Sequence, residues 1–293
     1  MKKPMLAQKV ASIKKSVANF NMLLAAYRWK LRLFKPKIVV FYENQHFIIK
    51  SVENAHELEQ ALNLRYEVFY REVLNKRARL QIDVDGFDFI CDHLIIIDKN
   101  TENVIGTYRF ISSTYSDRFY SETEFDIDNV KVAKGNKLEL GRACVHRDFR
   151  SGAVINLLWR GVSEYMKKVE SKYLFGCSSI HTTNVFDIAL VYNYFKTLNY
   201  SPDELRVYPN EEYRLKHFDR YLSAIGDTEG KEDKIRNLIP TLLKSYIRMG
   251  SKVCGEPALD SKFRCADFFT ILDLEQLNLS FVKKYRTRES LEP

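Results

Sequence analysis

The chain of 293 residues is 45% hydrophobic and 29% charged, a composition that predicts a folded protein with a full core and excludes disordered and fibrous classes. Ten Lys and Arg residues precede the first acidic residue, Glu43, and their charge exceeds the net charge of +8 of the whole chain. The remainder of the chain is therefore slightly acidic. Because it also contains no binding motif, no nucleic-acid partner is expected. No apolar run approaches the ~20 residues of a membrane span, lysines interrupt the apolar residues near the N-terminus where a signal peptide would have a continuous apolar segment, and no Cys-x-x-Cys pair is present. We therefore expect a cytoplasmic protein without a metal site.

The first 45 residues are predicted to form a basic helical arm. Apolar residues recur between Leu6 and Phe34 in alternating steps of four and three, which predicts an amphipathic helix over residues 5–35, and Pro36 ends the pattern. Three roles stay open. The apolar stripe packs on the protein's own domain or on a partner's helix, it lies on an anionic membrane surface, or the arm is loose. The second role would hold the protein at the inner face of the cytoplasmic membrane.

Strands and helices alternate over residues 46–290 and predict one α/β domain with a mixed central sheet. The expected helices cover residues 55–72, 153–168 and 185–198. The expected strands cover residues 47–52, 93–97, 104–112, 138–145, 173–179, 252–256 and 267–272, with a hairpin turn at residues 98–103. Residues 200–250 carry many charges and some helical periodicity, so we expect a helical insertion before the closing strands.

A strand, a basic turn and a helix follow one another in residues 138–165, which read LELGRACVHRDFRSGAVINLLWRGVSEY. The N–H groups of a helix's first turn and the helix dipole favour a bound phosphate, and Arg147 and Arg150 add positive charge. An ordinary strand-to-helix connection is the alternative. With Arg160, Lys167 and Lys168, these arginines form a candidate docking patch for an acidic carrier protein; a solvated helix face is the alternative there.

The turn RDFRSGA resembles the pyrophosphate loop of the GNAT superfamily, whose pattern is Gln or Arg, two residues, Gly, one residue, and Gly or Ala. Arg147 matches the first position and Gly152 the last, whereas Arg150 stands where the middle glycine is usual. That departure suits the branch that takes acyl groups from acyl carrier protein. The resemblance implies a binding site for the phosphopantetheine of an acyl thioester, formed by Arg147, Phe149, Arg150, Ser151, Gly152 and Ala153.

Four further segments, LRYEVFYREV, DVDGFDFICDHL, GTYRF and ELGR, resemble the acyl-homoserine-lactone synthases and the related acyltransferases that make ornithine lipids. The tail GSKVCGEPALDSKFRCADFFTIL is more similar to the ornithine acyltransferase and hemolysin-like subgroup. The resemblance implies a substrate-binding set and a catalytic pair. The substrate-binding set is Arg65, Phe69, Asp85, Asp88 and Arg109. The catalytic pair is Glu139 and Arg142.

The charges in these segments suit the aminolysis of a thioester, which needs a neutral amine, a base that takes its proton, and donors for the oxyanion. The candidates for holding a cationic amino acid and accepting the proton are Asp85, Asp88, Asp92 and Glu139. Arg109 is a candidate for binding a substrate carboxylate. The alternative is an ion network, Glu139 with Arg142 or Asp88 with Arg109, that only orders the sheet. The resemblance also implies an oxyanion donor from the backbone near residues 142–145.

These expectations combine into an α/β GNAT fold with a mixed central sheet flanked by helices, an N-terminal amphipathic helix, and the acyl chain lying between splayed strands. The predicted activity transfers a (3-hydroxy)fatty acyl group from acyl carrier protein to the α-amine of an amino acid, with ornithine as the acceptor. No permanently bound cofactor is expected, because the co-substrate is the acyl-phosphopantetheine thioester of acyl carrier protein or coenzyme A. Two alternatives remain open: synthesis of an acyl-homoserine lactone from S-adenosylmethionine, and a non-catalytic, membrane-associated acyl-carrier or lipid-binding module.

Overall fold

The structure, a computed structural model, describes residues 25–276 except residues 79, 151 and 227, and it consists of a central sheet with helices on both faces. The helices are α1 (residues 25–33), α2 (Ala55–Arg65), α3 (Asp128–Val132), α4 (Ala153–Lys168), α5 (Val185–Leu198), α6 (Phe218–Ile225), α7 (Glu232–Leu238) and α8 (Thr241–Met249). The strands are β1 (Phe41–Glu43), β2 (Phe47–Ser51), β3 (Asp92–Asp98), β4 (Val104–Ser112), β5 (Phe125–Asp126), β6 (Asn136–Val145), β7 (Ser171–Ile180), β8 (Tyr208–Pro209), β9 (Lys252–Val253), β10 (Ala258–Asp260) and β11 (Cys265–Asp273).

The main sheet is mixed, as the sequence predicted. Within the described residues it contains nine strands in the order β1-β2-β3-β4-β6-β7-β11-β10, with β9 pairing beside β11. Strands β6 and β7 run parallel, whereas the other neighbouring pairs run antiparallel. Strands β5 and β8 pair with each other outside this sheet.

The two faces of the sheet pack against different helices because side chains alternate along each strand. Leu94 of β3 lies in one buried cluster with Leu158 of α4, and its neighbour Ile95 lies in another with Leu58 of α2. Helix α4 approaches the sheet closely at Gly161, where an added Cβ would lie 2.5 Å from Leu94 Cδ2. A larger residue there would force the side chain of Leu94 to shift.

Several predicted elements have the predicted bounds, namely α4, α5 and β4. Helix α5 begins after Asn184, whose side chain accepts a hydrogen bond from the N–H of Phe186 at 2.9 Å, a local cap that the sequence contains. The predicted helix over residues 55–72 differs, because α2 ends at Arg65 and the chain continues as a π-helix, Tyr66–Val73. The predicted insertion contains the short helices α6, α7 and α8.

The described part of the N-terminal arm contacts the domain. Leu31 and Phe34 are buried in the cluster that contains Val52, while Trp29 in α1 is 62% exposed, and β1 pairs with β2. Residues 5–24 of the predicted helix lie outside the described residues, and the division of the chain at residue 45 stays a prediction. Among the helices that the structure describes, none has the length and apolar character of a membrane span.

Strands β6 and β7 part halfway along their length. Their pairing joins residues 136–139 to residues 171–175, although both strands continue, to Val145 and Ile180. At the point of separation the backbones touch, because a Cβ on Gly176 would lie 2.2 Å from the backbone oxygen of Leu140. Since β6 pairs on its other side with β4 and β7 with β11, the splay leaves an opening within the sheet.

Candidate active site

A cavity of about 640 Å³ occupies the opening between β6 and β7. Residues 140–145 of β6 and residues 174–179 of β7 form its walls, and it also reaches Phe149 and Gly152 before α4, Tyr246 of α8, and Asp260 and Asp267 near the C-terminal end. A cavity of this size suits a small molecule or the arm of a cofactor.

A bulge in β6 sets the position of Arg142 in the cavity wall. The register with β4 shifts so that two residues of β6, Arg142 and Ala143, lie opposite Tyr108. Arg142 has a φ of 51°, in the left-handed region, and such bulges redirect a side chain beside many active sites. Its guanidinium carbon lies 4.7 Å from the ring centre of Tyr120 and 5.5 Å from that of Phe263.

Arg65 and Asp88, two of the predicted site residues, form the centre of a buried ion network. Arg65 Nη1 lies 2.6 Å from Asp88 Oδ1, and Arg65 Nη2 lies 2.6 Å from Asp83 Oδ2. Arg109 Nη1 lies 3.1 Å from the same Asp88 oxygen. Burial alone would raise the pKa of Asp88, but Arg65 and Arg109 hold it well below its usual range. The ion pair of Asp88 with Arg109, one of the sequence-based alternatives, is therefore present.

Asp85 extends this network to the cavity wall. It accepts hydrogen bonds from Arg109 Nη1 at 2.7 and 2.8 Å and lies 3.2 Å from Arg142 Nη2. It also caps the short 3-10 helix Gly86–Phe89 by accepting the N–H of Phe87. Nη2 of Arg109 is buried and has no hydrogen-bond partner among the described residues. Because Arg109 lines the cavity, this donor is available to an acidic group of a ligand.

Glu139 is buried in the cavity wall and accepts hydrogen bonds from the segment before β5. Its Oε2 accepts the N–H of Tyr120 at 2.6 Å, and its Oε1 accepts the N–H and the hydroxyl of Ser121 at 2.7 and 2.5 Å. Burial raises the pKa of Glu139. An ion pair of Glu139 with Arg142, the other sequence-based alternative, is not formed among the described residues. A carboxylate oxygen has about two acceptor sites, so Oε2 keeps one.

Asp92 does not belong to this group, although the sequence placed it there. Its carboxylate accepts the N–H groups of Lys37 and Ile38 at 2.8 and 2.9 Å and the hydroxyl of Tyr165 at 2.7 Å. Asp92 therefore ties the segment before β1 to β3 and α4. The expectation that it helps to hold a cationic substrate is wrong, because Asp92 is fully buried and does not line the cavity.

The loop before α4, which the resemblance assigned to phosphopantetheine, opens on the same cavity. Phe149, Arg150 and Gly152 line it, and α4 begins at Ala153. Gly152 has a φ of 90°, a backbone conformation that favours glycine. Ser151 lies outside the described residues. The start of α4 therefore lies at the cavity wall.

Arg147 and Arg150 form a basic edge beside this loop. Arg150 Nη2 lies 2.8 Å from Glu72 Oε2 and Arg147 Nε lies 3.6 Å from Glu72 Oε1. The side chain of Arg150 remains 45% exposed and that of Arg147 remains 62% exposed. Arg150 Nε also donates to the backbone oxygen of Val145 at 3.0 Å, which fixes its stem against the end of β6. The two guanidinium groups are thus accessible from solvent and only partly neutralised.

Apolar side chains give the cavity a surface that suits an acyl chain. Phe69, which the resemblance implied, lines it from the π-helix, and Phe149, Ile155 and Trp159 line it near α4. Tyr108 also lies in the wall and shares a hydrogen bond of 2.6 Å with Tyr246. Carboxylates lie there too: Glu124, Asp260 and Asp267, none of which was predicted as a site residue. In the sequence, Asp260 and Asp267 belong to the tail that resembles the ornithine acyltransferases, whereas no motif or pattern pointed to Glu124.

Comparisons with known proteins show similarity to acyltransferases. Residues 64–160 match the sequence model of the acetyltransferase (GNAT) domain. The chain is 29% identical over 254 residues to an L-ornithine N(alpha)-acyltransferase of Brucella abortus (strain 2308), which covers 81% of this chain and 88% of that protein. It is 28% identical over 256 residues to an L-ornithine N(alpha)-acyltransferase of Rhodobacter capsulatus, with 82% and 95% covered. The solved structure of a CoA-dependent acyl-homoserine lactone synthase with SAM and isopentyl-CoA is similar with a TM-score of 0.47, at 15% identity, over 81% of this chain and 84% of that chain.

The GNAT match spans one part of the structure that surrounds the cavity. It contains the Arg65 ion network, all of β6, the loop before α4 and the start of α4. The predicted fold class is therefore confirmed, and so is the predicted class of enzyme. The chain carries a GNAT domain and is an acyltransferase of that type, which takes an acyl group from a thioester and transfers it to an amine.

Proposed function

We propose that this acyltransferase moves a (3-hydroxy)fatty acyl group from acyl carrier protein to the α-amine of ornithine, which gives a lyso-ornithine lipid. The observation that carries the proposal is the single cavity that joins the loop before α4, the splayed strands and the charged groups of the wall. The relatives named L-ornithine N(alpha)-acyltransferase, similar over about four fifths of the chain, support ornithine as the acceptor.

The donor's phosphopantetheine would bind with its phosphate at the start of α4. This helix is 16 residues long, and its first N–H groups and its dipole favour an anion. The arm then follows the splay, where β6 beyond residue 139 pairs with β4 but no longer with β7. Because successive N–H groups of a strand point to opposite sides, those on the β7 side are free to bind the arm and the developing oxyanion.

The reaction forms a bond between the amine nitrogen and the thioester carbonyl carbon and breaks the bond from that carbon to sulfur. The sulfur leaves as the phosphopantetheine thiol, and the amine loses a proton to a base. We assign that base to Glu139, which lines the cavity and keeps an acceptor site on Oε2. Burial raises its pKa, which makes it a stronger proton acceptor than an exposed carboxylate.

The α-carboxylate of the acceptor would bind the arginines of the wall. Arg142 lies over two aromatic rings of the cavity, and Nη2 of Arg109 is a buried donor without a partner among the described residues. A guanidinium presents a planar pair of donors that matches a carboxylate. The neighbouring Asp85 then orients these arginines rather than the amine.

Acyl carrier protein is proposed as the donor because of the basic edge. Arg150 replaces the glycine that is usual in a coenzyme A loop, and it stays accessible beside Arg147. Accessible positive charge attracts an acidic carrier and raises its association rate more than its final affinity. The acyl group would then enter the cavity from a docked carrier.

A separate proposal concerns the arm, residues 1–45, which we expect to bind the anionic inner face of the cytoplasmic membrane. The basic residues before Glu43 support it, since each that faces an acidic surface adds roughly 1 kcal/mol. Lys37 does not count toward this, because its Nζ donates to the backbone oxygen of Cys91 at 3.0 Å. Co-sedimentation of the full-length protein with anionic vesicles should fall as salt rises and should be weak with neutral vesicles. Salt-independent binding, or none, would remove this proposal.

The function is tested by supplying purified protein with 3-hydroxyacyl carrier protein or the matching acyl-CoA, and with ornithine or S-adenosylmethionine as acceptor. Mass spectrometry should show N(alpha)-acylornithine, formed faster from the carrier thioester. A lactone made from S-adenosylmethionine, with no acylornithine, would refute the assignment. Faster turnover with acyl-CoA would refute the proposed donor and leave the proposed acceptor intact.

A further inference from the structure

A second group of acidic side chains lies in the cavity, apart from the Arg65 network. Glu124 follows the 3-10 helix Tyr120–Thr123, Asp260 ends β10, and Asp267 lies in β11. All three are at most 7% exposed, and all three line the cavity. Chain segments far apart in the sequence therefore bring three buried carboxyl groups to one wall.

Within the described part of the chain, no Lys or Arg forms an ion pair with any of these groups, and Arg142 lowers the pKa of Glu124 too little to offset burial. Asp260 Oδ1 accepts the N–H groups of Lys262 and Phe263 at 2.7 and 2.9 Å, and Asp267 accepts the hydroxyl of Ser179. The carboxyl group of Glu124 hydrogen-bonds the side chains of Tyr120 and Asp267, but its Oε2 is buried and has no hydrogen-bond partner among the described residues. An unpaired buried acceptor is strongly unfavourable, so this atom points to a missing cationic or donor group.

The pKa shifts in the cluster favour the protonated form of its carboxyl groups while no cation is bound. Burial, and next the neighbouring Asp267, raise the pKa of Glu124 to about 9. Burial likewise raises the pKa of Asp267. In the Arg65 network the opposite holds, because Arg65 and Arg109 keep the pKa of Asp88 low. A cation bound beside Glu124 and Asp267 would restore their ionised form in the same way.

The same cavity also contains positive charge, so it has two regions of opposite sign. Arg142 lies over the rings of Tyr120 and Phe263, both of which line the cavity with Glu124 and Asp260. A ligand with a carboxylate at one end, a short apolar chain and an ammonium at the other end would match both regions. A diamino acid has this pattern, whereas an amino acid with an apolar side chain would leave the carboxylates unpaired.

We propose that Glu124, Asp260 and Asp267 form the subsite that binds the side-chain ammonium of a diamino acid acceptor. The inference rests on the proposed function and adds a reason for its regioselectivity. An ammonium held by carboxylates keeps its proton and cannot attack a thioester, so the α-amine is the nucleophile. Selectivity follows because an amino acid without the side-chain amine leaves the buried carboxyl oxygens without a hydrogen-bond donor.

The test compares ornithine with norvaline, which is ornithine without the side-chain amine, as acceptors for the full-length enzyme. The wild type should prefer ornithine, and Glu124→Gln and Asp267→Asn should each lower the ratio of kcat/KM for ornithine to that for norvaline by on the order of 30-fold or more. Asp98→Asn is the matched control. Asp98 is also buried, accepts a hydrogen bond from Thr101 at 2.8 Å and does not line the cavity, so its variant should keep the wild-type ratio.

The outcomes separate the two proposals. If the wild type acylates ornithine and norvaline with equal kcat/KM, or if the ratio is the same in the folded variants, the subsite is refuted and the acyltransferase function stands. If the wild type acylates no amino acid at all, the proposed function fails and the subsite fails with it. A preference for ornithine that disappears in chelator and returns with a divalent metal would also overturn the inference, because Asp260, Cys265 and Asp267 would then be metal ligands.

Discussion

Replacing Asp88 by Asn should destabilise the protein strongly, because it removes the central anion of a buried network. Asp88 is 0% exposed, and its carboxylate contacts Arg65 at 2.6 Å and Arg109 at 3.1 Å. Its Oδ2 also accepts the N–H of Asp85 at 2.7 Å. Asn keeps the shape but leaves two buried guanidinium groups short of one negative charge. Removing one partner of a buried ion pair lowers the free energy of unfolding by about 3–5 kcal/mol.

Urea unfolding at neutral pH measures this loss directly as a change in the free energy of unfolding. Asp148→Asn is the comparison variant, because Asp148 is 72% exposed and its replacement should change stability by less than about 0.5 kcal/mol. A loss at Asp88 no larger than at Asp148 would refute the argument, since the network would then contribute no more than a solvated charge.

The pH dependence gives a second check on the same network. The folded-state pKa of Asp88 lies below its ordinary value, so its stabilisation is fully present above the unfolded-state pKa of about 4 and is lost as pH falls further. The difference in unfolding free energy between wild type and Asp88→Asn should therefore shrink in acid. A difference that stays constant below that pH would contradict the assigned cause.

Three further changes test the catalytic wall, the splay and the loop. Glu139→Gln should lower kcat by about 10²–10⁴-fold if Glu139 accepts the amine proton, while circular dichroism shows a folded protein; near-normal turnover would exclude that role. Gly176→Ala should destabilise the protein by about 1–3 kcal/mol, because its Cβ would lie 2.2 Å from the backbone oxygen of Leu140, and an unchanged melting temperature would contradict the close contact. In Gly152→Ala the added Cβ would meet no neighbour within 4 Å, but the residue has a φ of 90°, so the change should lower the free energy of unfolding by about 1–2 kcal/mol. It should also raise KM for the acyl donor more than KM for ornithine. The reverse order would argue against a phosphate site at this loop.

Local elements could be predicted because their signals lie within a few residues. The bounds of α5 follow from Asn184, which caps it, and the bounds of α4 follow from the apolar period that starts after Gly152. The π-helix Tyr66–Val73 could not be predicted, since its hydrogen bonds reach one residue further than those of an α-helix, as in the bond from Leu74 N to Phe69 O. The short strands β1 and β10 escaped prediction because a strand of three residues has too little alternation to be recognised.

The sequence by itself determined the order of the longer strands and helices, the basic turn before α4 and the resemblance that led to an acyltransferase. Only the tertiary structure decided which charges meet. It paired Arg65 with Asp83, bound Glu139 to Ser121 rather than to Arg142, and brought Glu124 to the same wall as Asp267. Helix and strand patterns depend on neighbours along the chain, whereas the partner of a buried charge depends on strand register, on the bulge at Arg142 and on the splay of β6 from β7, which arise from contacts between distant segments.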